Sequence, residues 1–388
     1  MLCKGRLKEF VLGCPIATKN KVVVDGVIVD AFFDSLHGFE LKEGVGTLLR
    51  VDRIIEARVP MHRGTELEAR FSPFPDRLRM SCGSFQARQY QISHRTNYRH
   101  SFQASLCHNQ LHLRPREVVG QKLLHSAIEI TPEPDYRASS FDSFGNPTEF
   151  FSIERPHAEM CVHSFCGVER SEPQFVPLAG FSIADLQADI RRANTTESRQ
   201  AFEFLSPSRY CAIDPQFESF LSSVWDPTLD SLVLLDAINQ HIHQSIRYEP
   251  SSTDVTTPSL TALKNRVGVC QDLANVFISC MRTAGFPARY VSGYLVTVPA
   301  PGESKRIGAD ASHAWVSVFL GHLGWIDWDP TNNIRANWDH ITLAWGRDYA
   351  DVPPIQGVYV GGGDTLLEVA VDVLLANESL ANPPKDPE

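Results

Sequence analysis

The spacing of apolar residues changes along this 388-residue chain, and that change limits the folds open to it. Between residues 89 and 169, apolar and polar residues alternate in short segments, which turn residues such as Gly145 and Pro147 separate. Alternation with a period of two predicts half-buried antiparallel strands. After a proline-bearing linker at residues 170–180, apolar residues recur every three or four positions, which predicts helices with one buried face. We therefore expect an α+β protein in which a β-sandwich-like domain precedes a helix-containing core.

The second region has predicted helices first and predicted strands after them. Four segments have helical spacing, at residues 184–193, 230–246, 258–266 and 269–285. Gly285 ends the last of these helices, and Pro287 lies just beyond it. Five later segments have the aromatic and β-branched composition of strands, at residues 288–298, 312–320, 324–330, 358–363 and 365–376.

The first part of the chain is the least regular. Residues 19–33 look like two strands joined by a turn at Asp25-Gly26, but the segment resembles no family that we can name. Because the pattern changes near Met80, this extension is expected either to be disordered or to reflect an incorrectly assigned start, with translation beginning near Met80. The expected division is 1–88 for the extension, 89–170 for the β-rich domain, 171–375 for the core and 376–388 for a disordered polar tail.

Composition excludes several classes of protein. The net charge of −10 argues against nucleic-acid binding, which depends on clustered Lys and Arg. No run of 18 apolar residues predicts a membrane span, and Glu9 interrupts the only stretch that resembles a secretion signal. Nine scattered cysteines without paired CxxC motifs are typical of reduced cytoplasmic thiols. We expect a cytoplasmic protein with no nucleic-acid partner, no membrane association and no metal or other cofactor; the sequence does not indicate the oligomeric state.

Cys270 is the first residue that points to chemistry. It follows a break at Gly268 and stands in the first turn of the helix predicted for residues 269–285. Unpaired N–H groups and the positive end of the helix dipole surround this position, and both favour a thiolate over a thiol. The same N–H groups can hold an oxyanion, and Gly268 leaves room for a substrate. Cys280, on the apolar face of the same helix, is expected to be an ordinary buried thiol.

Two later motifs supply partners for a reactive thiol. His313 opens a strand-like segment after a polar loop, a position from which it can meet a helix N-terminus. Asp327 and Asp329 lie in the short aromatic segment that Pro330 ends, and either carboxylate could accept the second N–H of the histidine. Alternation places both aspartates on the same face, so periodicity does not choose between them. Cys270, His313 and one of the two aspartates form a candidate triad.

Four stretches around these residues form a recurring pattern: Gly268–Ala274, Ala284–Tyr294, Ser312–Trp315 and Trp328–Asn332. In this order and at these distances they resemble the core of bacterial transglutaminase-like proteins. Upstream, His94-Arg95-Thr96, Leu111–Arg116, Asp142–Asn146 and Pro156-His157 are similar to the β-rich N-terminal domain that accompanies this core. The resemblance covers residues 89–375.

This resemblance implies a papain-like or transglutaminase core, in which the helix that begins at the cysteine packs on an antiparallel sheet. It implies Cys270 as the nucleophile, His313 as the base and Asp329, rather than Asp327, as the third member. The implied chemistry is acyl transfer from peptide or glutamine-type amides through a thioester on Cys270, and we favour water over an amine as the acceptor. A protein or peptide is the expected substrate, and no acidic cluster suggests a calcium site.

Three further residues are expected near the site. Tyr248 and Trp315 are expected to line the substrate cleft as aromatic side chains close to the motifs. Asn275 stands where many relatives carry a histidine, and we expect it to support the catalytic residues from one turn further along the helix. Two rival classes remain open: a non-catalytic binding protein with a transglutaminase-like fold, and an arylamine acetyltransferase, which shares the Cys-His-Asp logic but not the β-rich N-terminal domain.

Overall fold

The computed structural model describes residues 87–171, 181–250, 252–296 and 312–376 with their side chains, and the backbone of five earlier strands. Contacts divide the chain into two compact units, residues 1–82 and 83–388. Most of the predicted linker, the polar loop before His313, the tail and the residues around Met80 lie outside the described residues, so the predictions made for them stay predictions. None of the described helices is long and apolar enough to cross a membrane.

The first unit is an antiparallel five-stranded sheet with the order β1-β2-β5-β4-β3. Its strands are β1 (Thr18–Val24), β2 (Val27–Asp34), β3 (Phe39–Lys42), β4 (Val45–Arg50) and β5 (Arg53–Arg58). The last residue of β1, Val24, pairs with the first residue of β2, Val27. The two strands predicted around Asp25-Gly26 are therefore confirmed, while the two turn residues themselves lie outside the described part.

The second unit begins with five strands that form most of one antiparallel sheet. They are β6 (Ala87–Leu111), β7 (Gln121–Thr131), β8 (Tyr136–Phe141), β9 (Pro147–Ile153) and β10 (His157–Ser171). The 25-residue strand β6 pairs with β10 over most of its length and with β9 near its end. Because β7 flanks β10 and β8 flanks β9, β6 belongs to both halves of a continuous sheet.

This sheet curls around its own hydrophobic core. Side chains from both halves pack together: Cys107 and Leu111 on β6, Ile128 and Ile130 on β7, Phe151 and Ile153 on β9, and Met160 and Val162 on β10. On each of these four strands the core residues named are two or four positions apart, as the period of two predicts. The β-sandwich-like arrangement is therefore confirmed, and the structure adds that its two layers share a single long strand.

Six α-helices and a short parallel strand pair follow in the part of the chain that the structure describes. The helices are α1 (Ile183–Arg192), α2 (Thr196–Ala201), α3 (Pro215–Leu221), α4 (Ser231–Ser245), α5 (Ser259–Asn265) and α6 (Cys270–Thr283). The strands are β11 (Arg247–Tyr248) and β12 (Val267–Gly268). All four predicted helices are present. The sequence did not predict α2 and α3, because six and seven residues are too few to display a helical period.

A second antiparallel sheet supports α6. Its strands are β13 (Ala288–Leu295), β14 (Ser312–Phe319), β15 (Trp325–Asp329), β16 (Ile334–Arg335) and β17 (His340–Gly346). Their order is β16-β15-β14-β13-β17, and α6 packs on β13 and β14. The predicted helix packed on an antiparallel sheet is confirmed.

The last two described strands return to the first sheet of this unit. Strands β18 (Ile355–Gly361) and β19 (Thr365–Leu375) both pair antiparallel with β6 and bring that sheet to seven strands. Tyr90, Val168 and Val371 from this sheet are buried in the same hydrophobic core as the helices. The β-rich region and the helix-containing core therefore share a core within one compact unit.

Two amide side chains from the β-rich region hold the outer edge of β17. Gln121 accepts the Thr342 N–H at 2.9 Å and donates to the Thr342 carbonyl at 2.7 Å. Asn146 accepts the Trp345 N–H at 2.9 Å and donates to the Trp345 carbonyl at 2.8 Å. Each amide replaces the pair of hydrogen bonds that a neighbouring strand would make. We call these two contacts the amide clamps; they cover a strand edge that would otherwise be unpaired.

Loss of an amide clamp should destabilise the protein. Asn146→Ala leaves the partly buried N–H and carbonyl of Trp345 without the amide partner, and we expect it to lower the free energy of unfolding by about 2 kcal/mol. Urea denaturation followed by tryptophan fluorescence measures the change. Asn194→Ala, at an exposed position between two helices, is the matched control and should change the free energy by less than about 0.5 kcal/mol. Equal effects of the two substitutions would contradict the role of the clamp.

Candidate active site

Cys270 is the first residue of α6, and its side chain is partly exposed. The Asp272 carboxylate accepts the Val269 N–H at 2.8 Å and the Thr253 hydroxyl at 2.5 Å, which fixes the start of the helix. The first N–H groups of any α-helix lack partners within the helix, so donors are available around this thiol. The structure thus places Cys270 at a helix N-terminus, as the sequence predicts.

Gly268 stands two residues before Cys270 in the chain, and Tyr248 lies beside Gly268 on the neighbouring strand. They pair across β11 and β12, and a Cβ atom at Gly268 would lie 2.5 Å from the Cβ of Asp272. Glycine is therefore required at this position by the chain's own packing, in addition to any need of a substrate. The Tyr248 side chain is 49% exposed. Partial burial, followed by the nearby charge of Cys270, raises the pKa of its phenol, so Tyr248 lies within electrostatic reach of the thiol.

His313 is held between Asp329 and Cys270 near the start of β14. Its Nε2 lies 2.8 Å from Oδ2 of Asp329, and its side chain is 10% exposed. Burial alone lowers the pKa of this imidazole, but hydrogen bonds to Asp329 and Cys270, together with their charges, outweigh burial and raise the pKa above its usual value. Because Nε2 contacts Asp329, Nδ1 is the ring nitrogen left for the thiol. The structure thus brings Cys270, His313 and Asp329 together.

Asp329 is fully buried and receives five hydrogen bonds. Its Oδ2 accepts from Nε2 of His313 at 2.8 Å, Nε2 of His340 at 3.0 Å and the Asn332 amide at 2.7 Å. Its Oδ1 accepts the N–H groups of Thr331 at 2.9 Å and Asn332 at 3.2 Å. Burial raises the pKa of this carboxyl, but the hydrogen bonds and charges of the two imidazoles prevail and hold the pKa well below its usual range.

Asp327 and Trp315 contact each other instead of the thiol. The Trp315 indole donates to Oδ2 of Asp327 at 3.0 Å, so the two aspartates that periodicity could not separate have different partners. Trp315 is fully buried, which contradicts the prediction that it lines a substrate cleft. Its ring packs edge-on against His340 with 5.2 Å between centroids, and so it supports the site from inside the core.

Asn275 lies five residues after Cys270 along α6. Its side chain is fully buried, and its Oδ1 accepts a hydrogen bond from the Cys211 thiol at 3.3 Å. The contact with Cys211 joins α6 to the segment before α3. A supporting role for Asn275 in the site stays a prediction.

His340 is the residue near the triad that the sequence did not reveal. It begins β17, is 1% exposed, and contacts the same Asp329 oxygen as His313. It is one of 14 histidines, and it follows an irregular segment with no period to mark a buried position. Its distance of eleven residues from Asp329 along the chain gave no local signal; only the turn back from β16 to β17 brings the two together.

His313, Asp329 and His340 can also be considered as metal ligands. One donor atom from each lies within 4.8 Å of the other two, which is close enough for a single ion. The contacting atoms of all three are already engaged in hydrogen bonds with each other. The prediction that the site works without a metal stays a prediction.

Comparison with known proteins identifies relatives of both regions. Residues 90–169 match the family model of the bacterial transglutaminase-like N-terminal region, and residues 221–330 match the transglutaminase-like superfamily. An uncharacterized protein of Mycobacterium tuberculosis strain H37Rv is 33% identical over 292 residues, which cover 74% of this chain and 92% of that protein. An uncharacterized protein of Mycobacterium leprae is 29% identical over 293 residues, which cover 73% of this chain and 97% of that protein.

A solved structure shares the fold. The crystal structure of a proposed cysteine protease from Cytophaga hutchinsonii has a TM-score of 0.59 and 20% sequence identity. The match covers 76% of this chain and 93% of that one. At this level of identity the likeness shows a common architecture, which agrees with the fold class that the sequence predicts.

The partners of His313 lead to a prediction about its titration. In Asp329→Asn the carboxylate charge is lost while burial remains, so the pKa of His313 should fall by about 1–3 pH units. An NMR titration of the histidine ring protons measures this change. Asp327→Asn is the matched control, because Asp327 contacts Trp315. An equal fall in both variants would show that the aspartates act on His313 through general electrostatics.

Proposed function

This chain belongs to the bacterial transglutaminase-like proteins, and we propose that it is a cysteine-dependent enzyme that breaks peptide or glutamine-type amides by acyl transfer. The observation that carries the proposal is the position of His313. One ring nitrogen is bound to the buried Asp329, and the ring lies close enough to Cys270, at a helix N-terminus, for the thiol to raise the pKa of the imidazole. A thiol, a base and a residue that orients the base are the parts that thiol acyl transfer requires.

In the proposed reaction the Cys270 thiolate attacks the carbonyl carbon of the amide. The unpaired N–H groups at the start of α6 stabilise the negative charge that forms on the carbonyl oxygen. The tetrahedral intermediate then collapses, the C–N bond breaks, and the His313 imidazolium gives its proton to the leaving amine. This leaves a thioester on Cys270 and a neutral His313. Asp329 keeps its negative charge throughout and holds the ring in place.

Water is the acceptor that we favour for the thioester. Cys270 is partly exposed and Tyr248, which pairs with Gly268 two residues before it, is half exposed, so this end of α6 is partly accessible to solvent. Transfer to an amine instead of water requires a site that excludes water. His313, neutral after the first step, can remove a proton from the attacking water. The water oxygen bonds to the thioester carbon, the C–S bond breaks with the thiolate as leaving group, and the acid product departs, which restores the thiolate–imidazolium pair.

We also propose that the protein works in the cytoplasm. Six cysteines within the described residues are free thiols, and such thiols persist in a reducing compartment. A peptide or protein is the proposed partner, because the attacked group is an amide.

The activated thiol can be tested without knowing the substrate. At mildly acidic pH, iodoacetamide should modify Cys270 at least about tenfold faster than Cys161, because only a thiolate reacts and Cys270 is paired with an imidazolium. Burial raises the pKa of the Cys161 thiol, which makes it a suitable internal reference. Mass spectrometry of tryptic peptides gives both rates in a single sample.

His313→Ala should abolish this preference for Cys270. If iodoacetamide modifies Cys270 of the wild-type protein no faster than Cys161, the protein is better explained as a non-catalytic binding protein with the same fold.

The acceptor is tested with glutamine-containing peptides, incubated with and without a primary amine. We expect cleavage or deamidation in both samples and no amine adduct. Cys270→Ala should lower the rate by about 10³-fold or more, because the thioester cannot form. Cys161→Ala is the control and should keep the wild-type rate. Amine adducts as the main product would replace hydrolysis by transamidation, and acetyl transfer from acetyl-CoA would indicate an acetyltransferase.

A further inference from the structure

His340 makes a contact that the proposed reaction does not yet use. It begins β17 and is almost fully buried, with its Nε2 3.0 Å from Oδ2 of Asp329. The same oxygen lies 2.8 Å from Nε2 of His313. We propose that His340 is a positioning residue, which donates a hydrogen bond to Asp329 and thereby holds this carboxylate where it orients His313. The inference rests on the proposed function and adds a residue to its machinery.

The surroundings of His340 assign the role of each ring nitrogen. The Asn337 N–H points at Nδ1 of His340 with a distance of 3.2 Å, and an N–H can only donate to an unprotonated nitrogen. Oδ1 of Asn337 lies equally close to Nδ1 and also accepts the Asp339 N–H at 2.9 Å. The other ring nitrogen decides the tautomer: Nε2 faces Oδ2 of the ionised Asp329, which can only accept, so the proton of a neutral His340 is on Nε2 and this N–H donates to Asp329.

The contact with His340 is part of a saturated set of hydrogen bonds around Asp329. An ionised carboxylate offers about four lone-pair sites, and Asp329 receives five donors, two of which are imidazoles. A buried carboxylate with this many donors stays ionised and cannot rotate without breaking several bonds at once. Its fixed Oδ2 in turn fixes the plane and the tautomer of the His313 ring, so that Nδ1 faces the thiol. Without His340, a buried charge loses one of its two imidazole donors.

His340 is itself fixed by packing. The Trp315 ring lies against it at 83°, with 5.2 Å between centroids. On the backbone, His340 pairs with Leu295 of β13. The amide clamps hold the opposite edge of the same strand two and five residues further on, at Thr342 and Trp345. The β-rich region therefore contributes to the position of His340, although the described contacts place none of its residues on Asp329.

The test compares the rate of iodoacetamide modification of Cys270 at mildly acidic and at alkaline pH. His340→Phe keeps a planar ring and loses the donor. It should slow modification about tenfold at acidic pH, because a misplaced His313 no longer holds the thiolate. At alkaline pH the rate should equal that of the wild type, because an accessible thiol then ionises without help. His340→Gln can still donate to Asp329 and should stay within about threefold of the wild type at both pH values.

His157→Phe is the matched control, because His157 is a buried histidine in the β-rich sheet. It should leave both rates unchanged. Thermal unfolding checks that each variant folds; if His340→Phe does not fold, His340→Gln and His340→Ala are compared by the same two criteria.

Several results would overturn the role of His340. An unchanged rate in His340→Phe, an equal loss at both pH values, or a loss in His340→Gln as large as in His340→Phe would each do so. A similar loss in wild-type protein after EDTA treatment would show that the three residues hold a metal ion instead. If Cys270 of the wild type is no more reactive than Cys161, both the proposed function and the role of His340 are wrong. If the wild-type thiol is reactive and His340→Phe leaves its rate unchanged, only the role of His340 is wrong and the proposed function stands.

Discussion

The buried charge of Asp329 is the constraint on which the rest of this structure depends. Taking a carboxylate out of water costs several kcal/mol unless hydrogen bonds replace the lost solvation. Here the donors come from β14, from β17 and from the turn after β15, three parts of the chain that must therefore meet at one point. The sheet order that places β14 beside β15, and β17 within reach of both, satisfies this requirement.

A separate set of contacts positions the thiol of Cys270. Asp272 fixes the first turn of α6, and Gly268 allows the chain to pass close to that carboxylate. Each of these features is local to the segment before the helix and needs nothing from the sheet. The packing of α6 on β13 and β14 then sets the distance between sulfur and imidazole. Changes in the hydrophobic contacts of this helix should thus affect chemistry as well as stability.

Local features of the sequence predicted much of this arrangement. The periods of α1, α4 and α6 were visible because each helix buries one face, and the motifs at Cys270, His313 and Asp329 stand at the ends of elements that the pattern delimits. What the sequence did not reveal depends on contacts between distant residues. The pairing of β18 and β19 with β6 joins segments about 250 residues apart, and no periodicity reports such a partner. The sequence did not reveal His340 for the same reason. Trp315 was expected to line the substrate cleft because it stands close to the motifs in the chain, whereas its contacts in space bury it.

The amide clamps have a consequence for how this molecule can be divided. Gln121 and Asn146 do for β17 what a sixth strand would do, and they belong to a region that sequence similarity treats as a separate module. A fragment that begins at the helices would expose the backbone of β17 as an open template for another chain. Such a fragment is expected to associate edge to edge, so the β-rich region acts as an internal guard against aggregation.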